Sequence, residues 1–133
     1  NQKDVQYQNY LKEKYKIYNN VKFIGKVPYE KLPSFMKNYD VNFNSAGTGF
    51  FDKSVLETLS AGLINFYHNQ DFDSLYLDHS KKFYFKGKED LTEKINNLKF
   101  LNDNDLKDLF TILNTNLEQH SLETLGDRLS KFI

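Results

Sequence analysis

The chain has no cysteine and no excess of either sign of charge, Lys plus Arg and Asp plus Glu numbering 18 each in 133 residues. Without cysteine there is no disulfide framework, no thiolate metal site and no thiol redox chemistry, and the composition fits a reducing compartment. Without a net field nothing draws the chain to nucleic acid or to an anionic membrane surface, so a nucleotide bound here is expected to be a small ligand. Long apolar runs are missing too. No stretch approaches the roughly 20 residues of a membrane span, and the amino end carries no signal-peptide pattern, so a soluble domain is expected. Histidine is scarce: His68, His79 and His120 have no carboxylate or histidine at ligand spacing. Surface or capping roles are expected for them, and no protein-bound metal.

The length suits one domain over residues 1–133, large enough to bury about two thirds of its unfolded surface. Asn1 to Tyr15 already reads as a helix in progress, with Val5, Tyr7, Tyr10, Leu11 and Tyr15 at loosely helical spacing, which predicts a piece cut from a longer protein. The many tyrosines need not form a binding stripe. Val21-Lys-Phe-Ile-Gly25 and Asp40-Val-Asn-Phe-Asn-Ser45 read as strands. Between them Leu32, Phe35, Met36 and Tyr39 repeat at helical spacing, and Pro33 suits a first helical turn. A helix from about Lys53 to Ala61 should bury Val55, Leu56 and Leu59 and stop at Gly62, before a strand over Leu63 to Tyr67. Asp71 to Leu77 is a short polar segment, and the carboxylates from Asp71 to Asp78 are read as a solvated loop rather than an acid and base pair. Lys82-Phe-Tyr-Phe85 reads as a further strand, and helices follow at Leu91 to Leu98, Leu106 to Leu117 and Leu122 to Phe132. Alternating strands and helices predict a mostly parallel α/β sheet, whose ligands bind beyond the carboxyl ends of its strands.

The most informative stretch is Ser45-Ala-Gly-Thr-Gly-Phe-Phe-Asp-Lys-Ser-Val-Leu-Glu57-Thr-Leu-Ser-Ala-Gly62, a strand end, a glycine turn and a helix opening on Asp52. Free backbone N–H groups at a helix start, added to the helix dipole, attract phosphate without a dedicated side chain.

In content and order these segments resemble the carboxy-terminal, donor-binding half of the two-Rossmann-domain (GT-B) retaining glycosyltransferases of family 4. Val21-Lys-Phe-Ile-Gly25-Lys-Val is similar to the family's V-x-F-x-G-x-V strand, and Leu32-Pro33 through Tyr39-Asp40-Val41 to its L-P-x-x-Y-x-x-x-D-V unit. Phe51-Asp-Lys-Ser-Val-Leu-Glu57-Thr-Leu-Ser-Ala-Gly62 is similar to its D-K-x-V-L-E-A-M-A-x-G variant. The likeness covers Val21 to Tyr67 and continues loosely from Phe83 to Leu122. It implies a Rossmann-like fold, truncated at its first strands, whose substrate is a nucleotide sugar linked to UDP, GDP or ADP, with no further cofactor. By resemblance Glu57 holds the ribose hydroxyls, a task that suits a carboxylate because its two oxygens accept from adjacent donors. Read on its own, Glu57 is an exposed helix carboxylate.

The family's paired first glutamate falls at Gly49, a departure that puts side-chain contact to the transferred sugar in doubt. Phe50, Phe51, Asp52, Lys53 and Ser54 are implied to surround the diphosphate and sugar. Asp52 is equally a plain N-cap, and one of the two phenylalanines is equally core. Gly25, Lys26 and Val27 are implied to contact the base through their backbone. The family's basic pair and two earlier strands are not visible, and in the order 3-2-1-4-5-6 those strands lie between the strands at Val21 and Asp40. Truncation, re-pairing or a partner chain, as a dimer or by strand exchange, is therefore expected, with an amino-terminal acceptor domain absent. The implied location is the cytoplasm, with attachment to the inner face of the membrane only through the missing half. The competing readings are a nucleotide-sugar epimerase on the same architecture, a non-catalytic nucleotide-binding or assembly module in which Gly49 marks lost donor chemistry, and an unrelated α/β fold such as a flavodoxin-like receiver.

Overall fold

Residues 2–50 and 52–121 are described by the computed structural model, and the chain divides into two units, Asn1–Leu32 and Pro33–Ile133. In the first unit, helix α1 (Gln2–Tyr15) carries Asp4 in its first turn and Lys12 and Lys14 in its last, a charge order that complements the helix dipole. Lys14 Nζ lies 5.6 and 5.4 Å from the ring centres of Tyr10 and Tyr15. A backbone bond from Tyr18 N–H to Tyr15 O closes the helix end.

Beyond it, Val21 to Gly25 forms no strand, which corrects the expectation from its β-rich composition. The segment has no regular secondary structure, and Val21, Phe23 and Ile24 are all exposed. β propensity measures fit to a paired, half-buried surface, and among the described residues no strand lies alongside this one. A single 3-10 turn, Tyr29–Lys31, follows Pro28.

Helix α2 (Leu32–Met36), all but its first residue in the second unit, has Pro33 in its first turn, where the missing N–H costs nothing. Asn38 closes it by donating to the carbonyls of Ser34 and Phe35. Strand β1 (Val41–Asn44), helix α3 (Lys53–Ser60) and strand β2 (Ile64–Tyr67) then make one parallel crossover unit, with Val41 opposite Ile64 and Asn44 opposite Tyr67. The chain is thus α/β, its sheet two parallel strands with α3 packed against both in the second unit.

The strand expected over Lys82 to Phe85 is a further correction. Ser80–Phe83 is a helical turn, α5, because Phe83 swings inward to pack at 5.3 Å from Tyr76 and 5.6 Å from Phe66, ring centre to ring centre. Only Tyr84 reaches the sheet, as a parallel bridge to Tyr67, with Phe85 N–H donating to Tyr67 O. The spatial order is therefore β1, β2, Tyr84, in chain order.

The polar segment from Asp71 is not a solvated loop. It runs through a 3-10 turn (Gln70–Phe72), α4 (Asp73–Tyr76) and a second 3-10 turn (Leu77–His79), burying Phe72, Leu75 and Tyr76. Its aromatic and leucine side chains, at one-turn spacing, give it an inner face that charge counting overlooked. Helix α6 (Lys88–Asn97) and the longer α7 (Asp103–Glu118) follow, α7 opening on a reciprocal cap between Asn102 and Asp105. Leu109 and Leu113 of α7 complete a core with Val55, Leu59, Phe66, Tyr67, Phe72, Leu75, Tyr76, Phe83 and Phe85. The helix expected over Leu122 to Phe132 lies outside the described residues. No helix among the described residues is long and apolar enough to cross a membrane.

Candidate functional site

Helix α3 is set against the sheet by Val55, Thr58 and Leu59, buried at i, i+3 and i+4. Its end is a two-bond glycine cap: Gly62, at φ +89°, donates to Leu59 O and Leu63 donates to Thr58 O. A buried polar network pins the same face. Thr58 Oγ1 lies 2.7 Å from Asn65 Oδ1, which also accepts from Asn42 Nδ2 at 2.6 Å. The Tyr76 hydroxyl donates to Asn65 O at 3.0 Å. Burial holds the Tyr76 and Tyr67 hydroxyls protonated far above the ordinary tyrosine range, and Tyr67 also donates to Asp73 at 3.0 Å. With its polar groups satisfied, this side of α3 is tied to the sheet, and the helix start sits at the carboxyl end of β1.

Asp52 is the N-cap of α3, its Oδ1 accepting from Ser54 N–H at 2.9 Å. Its Oδ2 accepts from the buried Asn44 amide at 2.8 Å, and Asn44 Oδ1 in turn accepts from Ala46 N–H at 3.1 Å. The Ser54 backbone donor, aided by Asn44 and the Ser54 hydroxyl, holds the Asp52 carboxyl below its ordinary value against the opposing effect of burial. Both oxygens of Asp52 are thus spent on structure.

The glycine turn is tied from the far side as well. Gly49, at φ +91°, donates its N–H to Asp71 Oδ2 at 2.8 Å. Phe50 O accepts from the fully buried Asn69 at 2.8 Å, and Gln70 N–H lies 3.3 Å from Thr48 Oγ1. The premise of free N–H donors is therefore corrected at two positions, since those of Gly49 and Ser54 already face carboxylates. At φ +91° a side chain is strained even though nothing stands within 4 Å of where its Cβ would be, so the backbone path itself selects glycine at 49.

Of the residues named from sequence, the second unit brings together Gly49, Phe50, Asp52, Lys53, Ser54 and Glu57 on one turn and the helix it feeds. Phe50 is exposed, Lys53 is exposed on the first helical turn, and Phe51 lies outside the described residues. Glu57 is half-buried on the second turn of α3, and its carboxylate has no hydrogen bond or ion pair among the described residues. Gly25 (φ +77°), Lys26 and the half-buried Val27 belong to the first unit.

Sequence reasoning missed Asn44, Asn69 and Asp71. The only local signal was the Asn69-Gln70-Asp71 spacing, in which Asn69 Oδ1 accepts from Asp71 N–H at 2.8 Å; the contact to Gly49 lies 22 residues away.

His68 is half-buried and caps no helix: its Nδ1 lies 2.7 Å from Phe85 O and its ring stacks on Tyr84. Among the described residues no cluster of three His, Asp or Glu could hold a metal ion. A separate cleft of about 470 Å³, lined by Lys82, Phe83, Lys94, Phe100 and Asp105 among others, contains none of the candidate site residues named from sequence. No protein-family model, curated protein or solved structure matches the chain.

Proposed function

We propose that this chain is the donor-binding part of a cytoplasmic, GT-B retaining glycosyltransferase, taking a nucleotide sugar linked to UDP, GDP or ADP. The observation that carries the reading is the half-buried Glu57 carboxylate, unpartnered among the described residues, one turn beyond a capped helix start at the carboxyl end of a parallel strand. A carboxylate that the fold leaves unused at such a place is suited to two neighbouring hydroxyl donors. In this role Glu57 accepts from the ribose, the turn at Gly49 to Ser54 faces the diphosphate and sugar, and Lys53 supplies a counter-charge. Gly25 to Val27 would face the base. An amino-terminal half of the enzyme would supply the acceptor.

An NMR titration with UDP, GDP and ADP, following the amides of Gly49 to Glu57, tests the reading. Saturable shifts with one base are expected, weakened about tenfold or more by Glu57→Gln, the loss of one charged acceptor being worth on the order of 1.5–3 kcal/mol. A folded chain whose amides respond to none of the three overturns it.

A second reading, a non-catalytic module of the same fold, is favoured by one observation: the Gly49 N–H is already bonded to Asp71. It predicts that Glu57→Gln changes nothing in nucleotide binding.

A further inference from the structure

We propose that Asp71 is a built-in competitor for the anion position of the glycine turn, so that the segment Asn69–Asp71 sets how tightly the turn takes a diphosphate. The inference rests on the reading in which that turn receives one. Three successive residues of the segment bond to three successive residues of the turn. Asn69 Nδ2 donates to Phe50 O, Gln70 N–H lies within reach of Thr48 Oγ1, and Asp71 Oδ2 accepts from Gly49 N–H. The ends of the segment differ in burial. Asn69 is 0% exposed and anchors it, whereas Asp71 is exposed and carries its carboxylate at the surface.

A carboxylate oxygen and a phosphate oxygen are both anionic acceptors for the same backbone N–H, and a charge-assisted bond of this type is stronger than a neutral one. With Asp71 in place, a ligand anion must displace it and also approach a like charge. Because Asp71 is exposed, its side chain can rotate away while Asn69 stays buried, so displacement costs a surface contact and no core. The apparent affinity is then the intrinsic affinity scaled by the fraction of turns that Asp71 leaves open.

Inorganic pyrophosphate is the probe, titrated into the wild-type chain, Asp71→Asn, Asp71→Ala and the control Asp78→Asn. The control removes an exposed carboxylate that has no hydrogen bond to the turn among the described residues. The Gly49 amide shift reports binding, and spectral dispersion reports folding. Both Asp71 variants are expected to bind pyrophosphate about tenfold more tightly than the wild type, with Asp78→Asn unchanged. Asp71 variants that bind no more tightly, or an equal gain in Asp78→Asn, overturn the proposal. If UDP, GDP or ADP still saturates the wild type in that case, the donor reading stands and the Asp71 inference alone fails. If neither pyrophosphate nor any nucleotide binds any variant, both fail.

Discussion

At Asp52 one carboxylate closes the start of α3 and holds the end of β1, accepting from Ser54 N–H and from the Asn44 amide. Capping bonds of this kind contribute about 1 kcal/mol, so Asp52→Ala is expected to lower unfolding free energy by about that amount at neutral pH. The pH dependence has a definite sign. The folded carboxyl lies below its ordinary 3.8 because of the Ser54 donor, so the contribution is present above that value and is lost as pH falls through the lowered folded one. Urea unfolding of wild type and Asp52→Ala, repeated from neutral pH down to about pH 3, should show the gap narrowing below about pH 4. A gap that stays constant would mean that the charge on Asp52 is irrelevant to the cap. Asp71 is a contrast at the same scale, a carboxylate spent on a surface turn rather than on a helix end.

Helix α3 owes its placement to both faces of one interface, apolar contact through Val55 and Leu59 and a polar cluster of Thr58, Asn65 and Asn42. The Thr58 hydroxyl has one proton for three acceptors within 3.0 Å, Ser54 O, Val55 O and Asn65 Oδ1, so it works as a shared donor at the helix–sheet contact. Thr58→Val keeps the shape and removes the hydroxyl, which is expected to cost about 1–2 kcal/mol; Thr58→Ser keeps the hydroxyl and should cost less. Chemical denaturation of the two variants decides the order, and the reverse order would assign the site to methyl packing. Since Glu57 precedes Thr58, the same loosening should broaden the Glu57 amide resonance.

Among the described residues, every member of the buried apolar core lies in the second unit, between Val55 and Leu113. Phe66 is at its middle, 0% exposed and in ring contact with Phe43 at 5.7 Å and Phe83 at 5.6 Å. Phe66→Ala should cost about 3–5 kcal/mol, a large share of the roughly 5–15 kcal/mol that holds a domain of this size together. Loss of cooperative thermal unfolding in that variant is the expected result, and an unchanged transition would show that the sheet is not the centre of stability.

What could be read from residues alone was local. The 3.6-residue spacing and end signals of α3, α6 and α7, the cap at Asp52, the stop at Gly62 and the two short strands around α3 depend on neighbours within one or two turns, and the chain states those directly. The misreadings share one cause. Val21 to Gly25 and Lys82 to Phe85 have strand-like composition, but a strand exists only where another backbone accepts and donates beside it, and for most of those residues none does. Asp71 looked like one carboxylate among several, and its bond to the Gly49 N–H appears only when the chain returns to the turn 22 residues later. The sequence by itself determined the strand, helix, strand order around α3, the glycine path at 49 and 62 and the positions of Asp52 and Glu57. The tertiary structure decided which backbone donors of the turn are already taken and which carboxylates are spent, because hydrogen-bond partners distant in sequence are chosen by packing.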